Sequence, residues 1–311
     1  MTLLKRKRIL AAKIEATPGT AESLTASDAA FNCYEVTVQH EIEKTAREGQ
    51  GSFGHLPSAT AGHKGRITFK TDLIWDGSAT EPAWADTFFP ACGCVKATNT
   101  YTPRSEAPGT NVKTLTMAVY EDGRRKLMRG CVGTFRLVCE TGKIAMIEWD
   151  FVGIWVTPTD VALLAPTYPT TAPIRYASGV TEFNSVAMQC QSVTLDIANE
   201  VYLREGTAAS NITGYIAGCI TNRRPTVTCN PESKLIGTQD RYLFFRDSTE
   251  YVLTFEIAGP SSSKIVVSAP KATIENIQDA DRNALIVDDL TFLCGQNGST
   301  ADQEFSIVFT P

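Results

Sequence analysis

The sequence predicts a mainly β protein made of two tandem copies of one domain, each with a short helix. Three observations predict this: a gap-free internal repeat, alternation of period two in both halves, and one short segment of helical spacing in each half.

The repeat sets the frame. Cys33–Gly49 (CYEVTVQHEIEKTAREG) aligns with Cys190–Gly206 (CQSVTLDIANEVYLREG) at a constant offset of 157, and seven of 17 positions are identical. These are Cys33/Cys190, Val36/Val193, Thr37/Thr194, Glu43/Glu200, Arg47/Arg204, Glu48/Glu205 and Gly49/Gly206. Further on, Leu115-Thr116-Met117-Ala118-Val119 parallels Leu253-Thr254-Phe255-Glu256-Ile257, and both halves close with a pair of apolar, alternating segments. The chain divides accordingly into an N-terminal arm (1–30), a first repeat (31–155), a connector (156–185) and a second repeat (186–311). Pro158, Pro166, Pro169 and Pro173 remove amide donors and fix φ, so the connector reads as extended. In the arm, Thr17-Pro18-Gly19-Thr20 reads as a turn.

Within the first copy, Val36, Val38 and Ile42 share one face of a strand, and Thr37, Gln39, Glu41, Glu43 and Thr45 share the other. A polar, glycine-rich loop is expected from Glu48 to Gly65, with Gly206–Gly218 in its place in the second copy. Ile67, Phe69 and Thr71 then alternate with Arg66, Thr68, Lys70 and Asp72. A helix is expected over 81–91, where Pro82 suits the first turn and Ala85, Phe88 and Phe89 fall on one side. Its shorter counterpart is Asp240–Phe245. Phe135, Leu137 and Cys139 lead into the turn Glu140-Thr141-Gly142-Lys143 and a strand from Ile144 to Val152, a hairpin with one buried face.

Composition argues against several function classes. The net charge is −5, and basic residues do not interleave with aromatics, so specific nucleic-acid binding is not supported. The charge is uneven: residues 1–160 hold 19 Lys/Arg against 18 Asp/Glu, and the remainder 10 against 16. No apolar run reaches membrane-spanning length, and the basic start Lys5-Arg6-Lys7-Arg8 is not followed by a signal-type apolar stretch. The nine cysteines include no CxxC pair and read as reduced core residues. Gly49-Gln50-Gly51-Ser52-Phe53-Gly54 matches GxGxxG in letters only, because no helix opens after it. Asp279-Ala280-Asp281-Arg282-Asn283 lacks the glycine and glutamate of a calcium loop and reads as a hairpin turn. With three histidines, no HExxH and no GxSxG, no catalytic residue, metal ligand or cofactor is expected, and the chain reads as a non-enzyme.

The order of four features resembles the tail tube (major tail) proteins of long-tailed, non-contractile bacteriophages. They are Ile9–Thr20 (ILAAKIEATPGT), the strand–REG–glycine loop–strand at 36–72, the helix ending Phe89-Pro90-Ala91-Cys92-Gly93, and Gly130–Phe135 leading into Glu140–Ile144 and Phe151-Val152-Gly153. The resemblance covers about residues 9–165 and reaches the second half through the internal repeat. It implies two tandem β-sandwich or half-barrel domains, each with a flanking helix, in rings whose inner sheets form one barrel and which stack into a tube. Two domains per chain then imply homotrimeric, pseudo-hexameric rings. DNA would pass through without specific binding, along a lumen expected to be acidic. Implied partners are further copies of the chain, a tape-measure protein and tail terminator or tip proteins. No membrane is involved. The implied place is the virion tail, assembled in the bacterial host cytoplasm. On this reading Glu41, Glu43, Asp196 and Glu200 are lumen candidates, and Arg47, Glu48, Gly49, Arg204, Glu205 and Gly206 are candidates for subunit or ring contacts. The rival reading is another β-rich virion protein or a receptor- or carbohydrate-binding module, for which clustered loop aromatics would be expected.

Overall fold

The computed structural model describes residues 3–51, 53–207, 211 and 213–311. Residues 1 and 2 of the arm, Ser52 of the glycine loop, and residues 208–210 and Ile212 of its counterpart lie outside the described residues. The first half contains β1 (Arg8–Ile14), β2 (Tyr34–Glu48), β3 (His55–Asp72), α1 (Ala83–Ala91), β4 (Cys94–Ala97), β5 (Thr100–Pro103), β6 (Leu115–Glu121), β7 (Arg124–Glu140) and β8 (Met146–Asp160). The second contains β9 (Thr181–Phe183), β10 (Val186–Met188), β11 (Cys190–Asp196), β12 (Asn199–Glu205), β13 (Tyr215–Arg223), β14 (Thr226–Pro231), α2 (Arg241–Arg246), β15 (Tyr251–Ala258), β16 (Lys264–Arg282), β17 (Leu285–Cys294) and β18 (Ser306–Thr310).

The fold is mainly β, as the alternation predicts, and all the strand pairs are antiparallel. Sixteen strands form one hydrogen-bonded sheet, and β12–β13 forms a separate ribbon. The same strand order occurs twice. In the first half it runs β1-β6-β7-β8-β3-β2, and in the second β9-β15-β16-β17-β14-β11. The register repeats as well: Thr37 pairs with Thr68, and its counterpart Thr194 pairs with Thr228. The two series meet where β11 adds to the edge of β7, with Ser192 opposite Glu140, Thr194 opposite Val138 and Asp196 opposite Arg136.

The expected loop over Glu48–Gly65 is corrected by the structure. β2 and β3 form one long hairpin, β3 already begins at His55, and the turn shrinks to 49–54. Pairing along the hairpin overrides a composition (His55-Leu56-Pro57-Ser58-Ala59-Thr60-Ala61-Gly62) poor in strand formers. In the second half the equivalent hairpin is broken. Ala198 has a left-handed φ of 46° and turns the chain out of β11, and Pro225 separates β13 from β14.

Both helices lie within a residue or two of their expected positions. Trp84, Phe88 and Phe89 of α1 fill the first half's core against Phe69, Phe135, Trp149 and Phe151, with rings 5.0–5.9 Å apart for Phe88–Trp149, Phe89–Phe135 and Phe88–Phe151. Such aromatic pairs add about 0.5–1.5 kcal/mol each beyond simple burial. The same core cluster continues into the second half around Phe183, Phe244, Tyr251 and Phe292. Its α2 is anchored by Arg241, buried and 2.5 Å from the buried Asp288. All nine cysteines are unpaired, and six are buried; burial pushes the thiols of Cys94 and Cys294 up to about 12.

Within residues 1–30, β1 is stitched along its whole length to β6, from Arg8 opposite Glu121 to Ile14 opposite Leu115. The turn after it is held by one buried carboxylate. Glu15 accepts hydrogen bonds from the Gly19 and Gly130 amides (both 2.7 Å) and from the hydroxyls of Thr114 (2.6 Å) and Thr116 (2.9 Å). Those four donors satisfy a carboxylate that burial would otherwise penalise heavily. Gly19 sits at φ 79°, where a side chain would also run into the Ile216 carbonyl oxygen of β13.

Candidate lumen face and assembly edges

The apolar face of the sheet is fixed by Ile67, Phe69, Phe135, Leu137, Trp149, Phe151, Val193 and Leu195, all nearly inaccessible. Strand alternation therefore sends Lys64, Arg66, Thr68, Lys70, Thr134, Arg136, Glu148, Asp150, Thr194 and Asp196 to the opposite face. Adjacent strands bring these together. Arg66 grips Asp150 through two hydrogen bonds, Nε to Oδ1 being 2.7 Å. Lys70 lies 2.9 Å from Glu35 and 3.2 Å from Glu148, and Arg136 lies 3.1 Å from Asp196. Lys64 lies 3.3 Å from Glu41 and 3.5 Å from Glu43. Hydrogen bonds donated to these acids hold the Lys64 ammonium (chiefly to Glu41) and the Lys70 ammonium (chiefly to Glu35) above their ordinary values.

Each base on this face has an acid beside it, but six acids (Glu35, Glu41, Glu43, Glu148, Asp150, Asp196) stand against four bases (Lys64, Arg66, Lys70, Arg136), so the face is acidic. The sequence places the acidic excess chiefly in the second half. Instead the charged residues of the polar face concentrate in the first half, where acids and bases alternate. On the second half's strands the corresponding positions are Thr226, Thr228, Asn230, Gln278 and Thr291, with Asp289. Glu41, Glu43 and Asp196 stand on the same face of the continuous sheet. Glu200 does not join them, because it lies past the bend at Ala198 on the separate β12–β13 ribbon.

The ribbon folds across the far end of that face. Farther along β8, Val152 and Ile154 replace Glu148 and Asp150, and Leu203 and Tyr215 of the ribbon pack on them. Gly218 allows the approach: a Cβ there would stand 2.5 Å from Val132 Cγ2. Asn199 staples the base of the ribbon. Its side-chain amide donates to the Cys92 carbonyl (2.8 Å) and the Gly133 carbonyl (2.9 Å), and its backbone amide donates to Thr134 Oγ1 (3.2 Å). Spacing and periodicity carry no signal for this long-range staple.

Arg47 and Glu48 end β2 at the tip of its hairpin with Gly49 next, and Arg204 and Glu205 end β12 at the tip of the ribbon with Gly206 next. The two tips close alike: the Gly49 amide donates to the Gly54 carbonyl (3.2 Å), and the Gly206 amide to the Gly214 carbonyl (3.0 Å). Arg47 and Glu48 are exposed.

His40 and His63 pack on Trp155, with ring centroids 5.4 and 6.0 Å away. The Asp279–Asn283 segment is strand end and turn, with Asn283 and Ala284 both at positive φ. Among the described residues no group of three or more His, Cys, Asp or Glu side chains is placed to hold a metal ion. No described helix is long and apolar enough to cross a membrane.

The family model for the phage tail tube protein matches residues 5–294 of the chain. No curated protein matches it.

Proposed function

Because the chain belongs to the phage tail tube protein family, and is therefore a structural component of a virion tail that assembles with itself into a tube, we propose that three copies close into a ring with six pseudo-equivalent domains. The rings stack around a channel through which DNA passes on ejection.

One observation carries the ring reading. The chain contains the same strand order twice, and the two series are joined edge to edge by β11 on β7. A single-domain ring needs an edge-to-edge joint between every pair of neighbours. Here every second joint would lie inside a chain. Closed rotational symmetry then supplies the remaining joints with no exposed edge left over.

The polar face described above lines the channel, with Glu41, Glu43 and Asp196 on it. A lumen in which Lys64, Arg66, Lys70 and Arg136 each lie against a carboxylate, and acids outnumber them, offers few unmatched cations to the phosphate backbone, whose contacts dominate DNA affinity. Glu200 is not part of that lining. The tips Arg47–Gly49 and Arg204–Gly206 reach the neighbouring ring or subunit. In assembly the channel holds a tape-measure protein, and terminator and tip proteins cap the tube ends; the host cytoplasm is where these parts meet.

The test is electron microscopy of the purified full-length chain, with native mass measurement of its rings. Stacked rings of three chains with an axial channel are expected. Rings of six chains would overturn the stoichiometry, and monomers under all conditions would overturn the tube.

A further inference from the structure

The chain carries a template for the joint it lacks. Among the described residues β2 pairs along one edge only, with β3. Beyond Ala272, β16 pairs only with β17. β2 is the counterpart of β11 through the sequence repeat, and β16 is the counterpart of β7 through strand order. The chain therefore ends in the same two edges that it has already joined once at its centre.

Register can be carried across. Thr68 pairs with Asp150 and Asp150 with Thr134; the counterparts run Thr228 to Thr291 and Thr291 to Asn276. Thr134 thus corresponds to Asn276, Arg136 to Gln278, Val138 to Ala280 and Glu140 to Arg282. At the internal joint Thr194 stands opposite Val138 and Asp196 opposite Arg136.

We propose that β2 of one chain adds antiparallel to the free edge of β16 of a second copy, with Thr37 opposite Ala280 and Gln39 opposite Gln278. The proposal rests on the tube reading and gives it residues. Both pairs are compatible: two amides meet, and a hydroxyl meets a methyl. Like charges directly opposite, which destabilise a ladder, are absent from both pairs. The Arg8 guanidinium already holds the Val36 carbonyl within the chain, so the stretch left for a partner begins at Thr37. A long strand with an open edge is a pairing template, and the counterpart of this edge is taken by the counterpart of that partner within the same molecule.

Opposed residues have Cβ atoms about 4.5–5.5 Å apart, close to the separation a disulfide needs, whereas one strand further is about 5 Å too far. The full-length chain carrying T37C and A280C is assembled, oxidised and run without reductant, beside T37C alone, A280C alone, and T37C with T291C, whose thiol sits one strand inward and four residues further along. A second pair, Q39C with Q278C, covers failure of the first to fold. The expected result is a loss of the single-chain band to cross-linked chains in T37C/A280C or Q39C/Q278C tubes, with Thr37–Ala280 or Gln39–Gln278 peptides in the digest. Tubes in which neither pair cross-links, or in which a T37C/Q278C variant cross-links instead, would overturn the joint or its register and leave the tube reading standing. A chain that forms neither rings nor tubes would overturn both.

Discussion

Arg136 on β7 and Asp196 on β11 face each other across the joint between the two halves of the sheet, Nε to Oδ2 at 3.1 Å. The guanidinium is half exposed, and exposed pairs contribute about 0–1 kcal/mol. R136A should therefore lower the unfolding free energy by no more than about 1 kcal/mol in urea titration. A larger loss would mean that the pair, and not the backbone ladder, holds the halves together.

Asn199 should matter more. Its side chain bridges two carbonyls that would be left without that donor. N199A should cost about 1–3 kcal/mol by the same titration, and should speed hydrogen exchange in 199–223 before the rest of the sheet.

Gly19 tests the clamp between the first turn and the ribbon. G19A forces an alanine into left-handed backbone, at about 1–2 kcal/mol, and adds the clash with Ile216. The melting temperature should fall by several degrees. An unchanged melting temperature would show that the ribbon can lift off at little cost.

Acid should weaken the β1–β6 edge. Burial acts to raise the Glu121 pKa, but hydrogen bonds from Lys126, Arg124 and Arg8 outweigh it and bring the value down to about 2. A carboxylate depressed in the folded state stabilises above its unfolded value near 4.3. That contribution is lost as pH falls from there through about 2. E121Q should flatten the stability-versus-pH curve in that window; a curve identical to that of the unchanged chain would refute the assignment.

R47E isolates assembly from folding. Arg47 is exposed at the hairpin tip, so the soluble chain should melt within about a degree of the original. Tube formation, followed by sedimentation, should be reduced. Unchanged sedimentation would remove Arg47 from the contact.

Much of the fold was legible because it is local. Phe69, Phe135 and Trp149 alternate with charged neighbours, and period two is a direct print of one-sided burial. The α1 aromatics announce themselves by spacing. What could not be read was pairing at a distance. The composition of His55–Gly62 suggests a loop, and only the partner strand makes it β3. The polar face is legible on β2, but its ion pairing depends on Lys64, Arg66 and Lys70 of β3 and on Glu148 and Asp150 of β8, which reach it through tertiary register. Glu200 looked like a partner of Glu43 in the repeat until Ala198 turned the chain out of the sheet.

The β11–β7 joint also bears on how fast a ring can begin. Strands tethered in one chain meet at an effective concentration in the millimolar range, whatever the concentration of chains in solution. That joint forms with the fold and does not wait for collisions. In a three-chain ring, the nucleus then needs three bodies to meet where a single-domain subunit would need six. Ring initiation should accordingly vary less steeply with protein concentration, and tube growth should start from a more dilute pool.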